Sequence, residues 1–140
     1  MSRNRSKISI NDSIPNALHK IAKICNEIGS ELIYDGSHVL GLIADKAFPN
    51  PLAEGVHILL ESTHKSFLSP QGGIILTDKE YAIISNYLPL RIIDNPHFNR
   101  IAALSVAIEE MLVFGRKHAR QIVLNAKALA RALDKMVLKF

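Results

Sequence analysis

The stretch "LLESTHKSFLSPQGGIIL", residues 59–76, places two short apolar runs on either side of a polar segment. Serine, proline and glycine separate the runs, which is the pattern of two buried strands joined by a turn. Lys65 lies within the polar segment, directly after His64. Functional residues of α/β sheets gather where strands end. We therefore treat this lysine as a candidate functional residue.

The sequence on both sides of this stretch alternates helix and strand signals. A helical apolar stripe begins near Ile14; Asp12 or Ser13 can cap the helix, and Gly29 fits its end. We predict strands at 31–35, 56–62 and 72–77. Helical periodicity returns at residue 99, and we expect Gly115 to break or bend it before a last helix. This order predicts an α/β fold built on a parallel sheet.

Length and composition indicate one globular domain. The chain has 140 residues, of which 48% are hydrophobic and 21% charged, so it can bury a core and is not disordered. Its apolar runs are too short to span a bilayer, and its basic start lacks the apolar core of a secretory signal. A single cysteine, Cys25, suits a reducing compartment. We expect a cytoplasmic domain over residues 1–140, with 1–12 as a flexible basic tail.

Charge is concentrated at the end of the chain. Residues 116–140 contain seven Lys or Arg against one acid, Asp134. A basic helix can contact nucleic acid or an acidic partner, or it can simply present a solvated face. No aromatic or glycine-rich nucleic-acid motif accompanies it. We therefore favour the solvated face and expect neither a nucleic-acid partner nor a membrane partner.

Two predicted strand ends carry residues that suit one cofactor. Asp35 ends the first predicted strand and His38 follows it, whereas Lys65 follows the second. Pyridoxal phosphate needs a lysine amine for its aldehyde and a carboxylate for its ring nitrogen. Spacing alone leaves the plainer alternatives open, in which Asp35 caps a turn and Lys65 is a surface residue.

Local motifs give this hypothesis a family. Residues 34–44, 48–76 and 99–115 together resemble serine hydroxymethyltransferase, a fold-type-I enzyme that depends on pyridoxal phosphate. Asp-Gly-Ser-His at 35–38 is similar to the family's Asp-x-Ala-His. Ser-Thr-His-Lys at 62–65, followed by Pro-x-Gly-Gly, is similar to its lysine motif. The resemblance implies a partial three-layer α/β/α sandwich with an incomplete sheet, taken from the large domain of that fold.

The resemblance also implies a role for each matching residue. Lys65 corresponds to the Schiff-base lysine, and Asp35 to the partner of the pyridine nitrogen. His38 corresponds to a histidine near the phenolic oxygen and the substrate carboxylate, and His64 to the histidine before the lysine. Ser62 stands where many members have threonine beside the cofactor. The implied reaction interconverts serine and glycine with tetrahydrofolate as co-substrate, and we expect no metal site.

The same resemblance indicates that much of such an enzyme lies outside these residues. The half-domain with the phosphate-binding cup and the small domain are missing, so we expect little or no activity from this chain alone. The chain would then be either a split subunit that needs a complementing chain or the remnant of a broken gene. Whether it forms a homodimer is left open. Two alternatives stand beside it: another pyridoxal-phosphate aldolase or transaldolase for β-hydroxy amino acids, and a non-catalytic protein that binds a partner through its basic last helix.

Overall fold

The structure is a computed structural model, and it describes residues 7–11, 18–78, 81, 86 and 96–136. Strands and helices alternate along the first part of the chain, and one long helix closes it. The elements are β1 (Lys7–Asn11), α1 (Leu18–Glu27), β2 (Glu31–Asp35), α2 (Leu40–Ala44), a 3-10 turn (Pro51–Glu54), β3 (Ile58–Ser62), β4 (Gly73–Thr77) and α3 (Phe98–Lys135). The predicted α/β class is confirmed.

The four strands form one sheet in the order β1-β2-β3-β4. The first three strands are parallel, but β4 runs antiparallel to β3, with Ser62 opposite Gly73. The expected parallel sheet is therefore present in β1, β2 and β3, whereas the expectation is wrong for β4. The connection from Thr63 to Gly72 contains no helix and is shorter than a parallel crossover requires, so the chain turns back on itself.

β1 is a strand that the sequence analysis did not predict. Lys7–Asn11 pair in parallel with β2, with Ile8 opposite Leu32, and Ile8 packs against the main core cluster. The expectation of a flexible tail over residues 1–12 is wrong for these five residues; residues 1–6 and 12 lie outside the described part of the chain. Alternation of Ile8 and Ile10 with polar residues was the available signal.

Helices cover one face of the sheet. α1 ends at Glu27, and Gly29, with a φ of 68°, follows the helix end as predicted. Its buried side chains pack with those of β2 and β3 in one cluster: Leu18, Ala22, Cys25, Leu32, Tyr34, Val56 and Leu59. α2 and α3 contribute a second cluster beside Ile74 and Leu76 of β4. Leu76 pairs with Leu59, so both clusters lie on the same face.

The opposite face is less covered within the described residues. Ile33 and Leu60 on this face are half-buried, and Ile75 is exposed. The described residues thus supply two of the three layers expected for the fold, namely one sheet and one layer of helices. A largely parallel sheet normally has both faces covered, so this face is where a further layer would pack.

α3 is one continuous helix, so the predicted break at Gly115 is wrong. Its buried residues are spaced by four and are mostly small: Ala107, Met111, Gly115 and Ala119. Ile101, Ile108 and Leu112, which contribute to the helical apolar periodicity of this segment, are exposed instead. A Cβ at Gly115 would overlap the carboxyl group of Asp45, so the glycine admits that side chain against the helix rather than ending it.

The second half of α3 has little contact with the rest of the described chain. Leu124 and Leu129 are about half exposed or more, and the basic side chains of this half are exposed as well. None of the described helices combines the length and apolar character needed to cross a membrane. This part of α3 therefore offers a mixed apolar and basic surface.

Replacing Gly115 with alanine tests the close approach of α3. We expect Gly115→Ala to lower the free energy of unfolding by about 1–3 kcal/mol, because the new methyl group meets the Asp45 carboxyl. In an Asp45→Ala background the same change should stabilise the helix by up to about 1 kcal/mol, the usual gain of alanine over glycine. Urea denaturation of the four chains measures both values; equal effects in the two backgrounds would contradict the contact.

Candidate active site at the carboxyl edge of the parallel strands

Two loops begin side by side where β2 and β3 end. Asp35, the last residue of β2, is opposite Leu60 of β3, and the Gly36 amide donates to the Leu60 carbonyl at 3.0 Å. The strands are parallel, so their carboxyl ends meet at one edge of the sheet. The loop after Asp35 and the loop after Ser62 therefore face the same region.

The loop after β2 is a tight turn held by its own side chains. Oδ1 of Asp35 accepts hydrogen bonds from the Ser37 amide at 3.1 Å and the Ser37 hydroxyl at 2.5 Å. The Val39 amide closes the turn onto the Gly36 carbonyl at 2.8 Å. This is the local bonding that aspartate commonly provides in turns. This bonding orients the Asp35 carboxylate through Oδ1, the oxygen that accepts both hydrogen bonds from Ser37.

The structure brings Lys65 to His38. The two side chains are 27 positions apart in sequence, and Nζ of Lys65 lies 3.4 Å from Nε2 of His38. Both residues are exposed, so a small molecule can reach the amine. The neighbouring Ser66 hydroxyl accepts from the Gly41 amide at 3.1 Å, which ties the lysine loop to α2. The predicted meeting of two strand-end motifs is thus present in the fold.

The other predicted site residues hold the lysine loop. Nδ1 of His64 accepts from the Gly72 amide at 3.3 Å. The buried Thr63 hydroxyl donates to the Pro70 carbonyl at 2.7 Å and lies 3.1 Å from the Gly72 carbonyl. Ser62 is half-buried at the end of β3. His64 is therefore next to Lys65 in sequence, but its described contact is to the far side of the loop.

Arg100 anchors the same loop from α3. Its Nη1 donates to the Gln71 carbonyl at 3.1 Å, and its guanidinium group lies against Gly72, where a Cβ would overlap it. No local signal in the sequence distinguishes this residue from the other basic residues of the helix. The contact links the start of α3 to the segment that follows Lys65.

Glu61 is the second residue that the sequence analysis missed. Its side chain is 4% exposed, and neither carboxyl oxygen has a hydrogen-bond partner among the described residues. The pKa of Glu61 is raised from 4.5 to about 8, mainly by burial and also by the negative charge of nearby Asp35, while Lys65 acts in the opposite direction. An acid inside the apolar run "HILLES" was the available signal.

An amine, an imidazole and a carboxylate therefore meet at one sheet edge. They can bind an aldehyde-bearing ligand and orient its polar groups, and the glutamate beneath them can hold a proton near neutral pH. Within the described ranges, no three His, Cys, Asp or Glu side chains are grouped as a metal site would need.

Comparison with known proteins identifies the family. The family model described as serine hydroxymethyltransferase matches residues 14–140. The chain belongs to the serine hydroxymethyltransferase family. It is 48% identical over 121 residues to the serine hydroxymethyltransferase of Methanocaldococcus jannaschii, and 49% identical over 115 residues to that of Archaeoglobus fulgidus. These matches cover 85% and 81% of this chain, respectively.

The chain spans little more than a quarter of the serine hydroxymethyltransferases it matches. The aligned part covers 28% of the Methanocaldococcus protein and 26% of the Archaeoglobus protein. This partial coverage agrees with a fold in which helices cover only one face of the sheet. The part of the family present here is the one that carries the Asp35 turn and the Lys65 loop.

A double-mutant cycle tests the packing of Glu61 against the Asp35 turn. A Cβ at Gly36 would overlap Oε1 of Glu61, so we expect Gly36→Ala to lower the free energy of unfolding by about 1–3 kcal/mol. In a Glu61→Ala background the loss should be smaller, although the Tyr34 ring edge also lies near. Gly73→Ala is the control, because its Cβ makes an ordinary 3.6 Å contact. Additive effects in urea denaturation would refute the contact.

The pH dependence of stability tests the protonation of Glu61. Its pKa is raised from 4.5 to about 8, so the folded chain holds a proton that the unfolded chain releases across this range. The free energy of unfolding should therefore fall as pH rises from 4.5 to about 8. Glu61→Gln should remove on the order of 1–3 kcal/mol of this decline, which is a fraction of what the full pKa shift would give. Urea denaturation across this range measures it; an unchanged slope in the variant would exclude the assignment.

Proposed function

We propose that this chain supplies the lysine half of a pyridoxal-phosphate site in a serine hydroxymethyltransferase-type enzyme. The whole enzyme would convert serine and tetrahydrofolate to glycine and methylene-tetrahydrofolate. The observation that carries the proposal is the 3.4 Å approach of Lys65 Nζ to His38 Nε2, at the sheet edge where Asp35 ends β2. Membership of the family supports it.

The residues at this edge fit the cofactor's chemistry. Pyridoxal phosphate presents an aldehyde, a ring nitrogen, a phenolic oxygen and a phosphate. An exposed amine, a carboxylate fixed by Ser37 and an exposed imidazole suit the first three groups. The contacts to the phosphate are proposed to come from a complementing polypeptide.

Each residue then has a defined task. When bound, the cofactor supplies an electron sink for bond breaking at the substrate α-carbon. Lys65 would bind the aldehyde covalently through Nζ, and Asp35 would keep the ring nitrogen protonated. His38 would donate toward the phenolic oxygen or the substrate carboxylate. Ser37 holds Asp35 in place, because both its amide and its hydroxyl donate to the carboxylate.

His64 would act through the shape of the lysine loop, and Ser62 through its hydroxyl group. His64 accepts from the Gly72 amide, which draws the two ends of the loop together beside Lys65. Ser62 ends β3 at the same edge and would offer its hydroxyl beside the cofactor. We propose His64 as a positioning residue of the cofactor site. Ser62 would contact the cofactor, as would Asp35, His38 and Lys65.

We further infer that this chain needs a complementing polypeptide and has little activity alone. The half-covered sheet face with the exposed Ile75, and the exposed Leu112 and Phe114 of α3, support this inference, since such surfaces are normally buried in a complete domain. The complementing part would bring the phosphate contacts and the remaining substrate contacts. Buried Cys25, free of any disulfide, supports a cytoplasmic setting.

Borohydride trapping tests the proposal directly. The purified chain is mixed with pyridoxal phosphate at a low ratio, reduced and digested, and the modified lysines are located by mass spectrometry. We expect selective labelling of Lys65, because its amine is exposed beside His38. Lys65→Ala should lose most of the label, whereas Lys23→Ala, which changes an exposed lysine of α1, should keep it.

The same experiment can reject the proposal. Labelling spread over the exposed lysines and unchanged in Lys65→Ala would mean that the edge does not select the cofactor. The interaction-protein alternative would then be preferred. Selective labelling would justify adding the missing part of a serine hydroxymethyltransferase and assaying glycine formation with and without tetrahydrofolate, which separates this activity from a folate-independent aldolase.

A further inference from the structure

We propose that Glu61 is a positioning residue of the lysine site, which keeps the Gly36–His38 turn seated on β3 only while its carboxyl group carries a proton. The packing part of this inference stands on the structure alone. The consequence for Lys65 rests on the proposed function and deepens it. Capture of the cofactor's aldehyde by Lys65 would depend on Glu61, a buried acid outside the family's motifs.

The first support is the packing of the Glu61 side chain. Glu61 pairs with Ile74, which places it on the helix-covered face of the sheet. It is 4% exposed, and both carboxyl oxygens are buried without a partner in the described part of the chain. Oε1 occupies the space where a Cβ of residue 36 would lie, and the Tyr34 ring edge borders the same spot.

The second support is what rests on that carboxyl group. Gly36 is bonded to β3 through its amide, which donates to the Leu60 carbonyl, and to the turn through its carbonyl, which accepts from Val39. Asp35 precedes it and His38 follows two residues later. A movement of Gly36 therefore displaces both the carboxylate proposed for the ring nitrogen and the imidazole beside Lys65.

The third support is the set of charges that face Glu61. Asp35 approaches from the end of β2, Lys65 from the loop after β3, and the Tyr34 ring lies alongside. Burial and the negative charge of Asp35 both favour the protonated acid, and only Lys65 opposes them. An unpartnered buried carboxylate is strongly disfavoured.

Loss of the proton would therefore rearrange the site. Water could reach the carboxylate only if the Gly36–His38 turn lifts away from β3. Alternatively, the Lys65 ammonium could move toward the new charge. Either movement breaks the 3.4 Å approach of Lys65 to His38. The protonated acid thus preserves the approach of Lys65 to His38 at neutral pH. At alkaline pH this approach is lost, while the core clusters of the fold persist.

Nuclear magnetic resonance on the full chain tests the packing part without cofactor. A pH titration follows the Glu61 carboxyl carbon and the Gly36 and Ser37 amides. We expect one shared midpoint near 8. Glu61→Gln should abolish the amide transition, whereas Glu54→Gln, which changes a glutamate with a buried unpartnered oxygen away from this turn, should retain it. A Glu61 midpoint near the ordinary value of 4.5, or an amide transition that persists in Glu61→Gln, would overturn the proposal.

Borohydride trapping at two pH values tests the consequence at Lys65. The label on Lys65 is expressed relative to the label on Lys23 in the same sample, which corrects for the general reactivity of amines. Wild type and Glu61→Gln should agree at neutral pH, and the variant should label several-fold more at about one pH unit above the Glu61 midpoint. Equal ratios at both pH values would overturn the link to Lys65.

The two readouts separate this inference from the proposed function. If Lys65 is not selected at any pH, the cofactor assignment fails, and the titration of the Gly36 and Ser37 amides still decides the role of Glu61. If Lys65 is selected but the amides do not follow Glu61, the cofactor assignment stands and the positioning role is rejected. Should Glu61→Gln fail to fold, the carboxyl midpoint in the wild-type chain still decides.

Discussion

β2 and β3 run parallel with Asp35 opposite Leu60, and this register determines where the two loops of the site begin. The Gly36 amide extends the pairing one residue beyond β2, so the turn that carries His38 is fixed to β3 itself. Lys65 lies in the loop that follows β3, within reach of that turn. A shift of one residue would turn Asp35 to the other face of the sheet and separate the carboxylate from the lysine loop.

Two contacts between a carboxyl group and a glycine allow neighbouring elements of the fold to approach closely. Glu61 lies against Gly36 beneath the site, and Asp45 lies against Gly115 where α2 meets α3. In both, the missing side chain of glycine is what allows the approach. Burial raises the pKa of both acids, although His118 and Arg116 oppose the effect at Asp45. The packing therefore depends on acids that are more readily protonated than exposed ones.

The described part of the chain covers its sheet unevenly. Its helices cover one sheet face, while the other face and much of α3 present apolar side chains to solvent. Its matches span little more than a quarter of the relatives' length. Burial of apolar surface is the main stabilising term in folding, so a portion this small has a limited core. This limits the rigidity that the chain alone can give to the Asp35 turn and the Lys65 loop.

The sequence by itself determined the order of most elements and three of the residues that meet at the edge. Strand periodicity, Gly29 and the motifs around Asp35 and Lys65 are local signals, and the structure matches them. The roles of these residues toward a cofactor remain predictions. The strand signal of β1 was equally local, but the surrounding basic residues concealed it.

Only the tertiary structure decided which elements are neighbours. The direction of β4, the continuity of α3 through Gly115 and the burial of Glu61 all depend on contacts between residues distant in the chain. A glycine weakens an isolated helix by about 1 kcal/mol relative to alanine. Here Gly115 instead accommodates Asp45, about seventy positions earlier. Glu61 is an ordinary acid in an extended strand until Gly36 and Tyr34 close over it. Such contacts are set by close packing in three dimensions, and no local pattern encodes them.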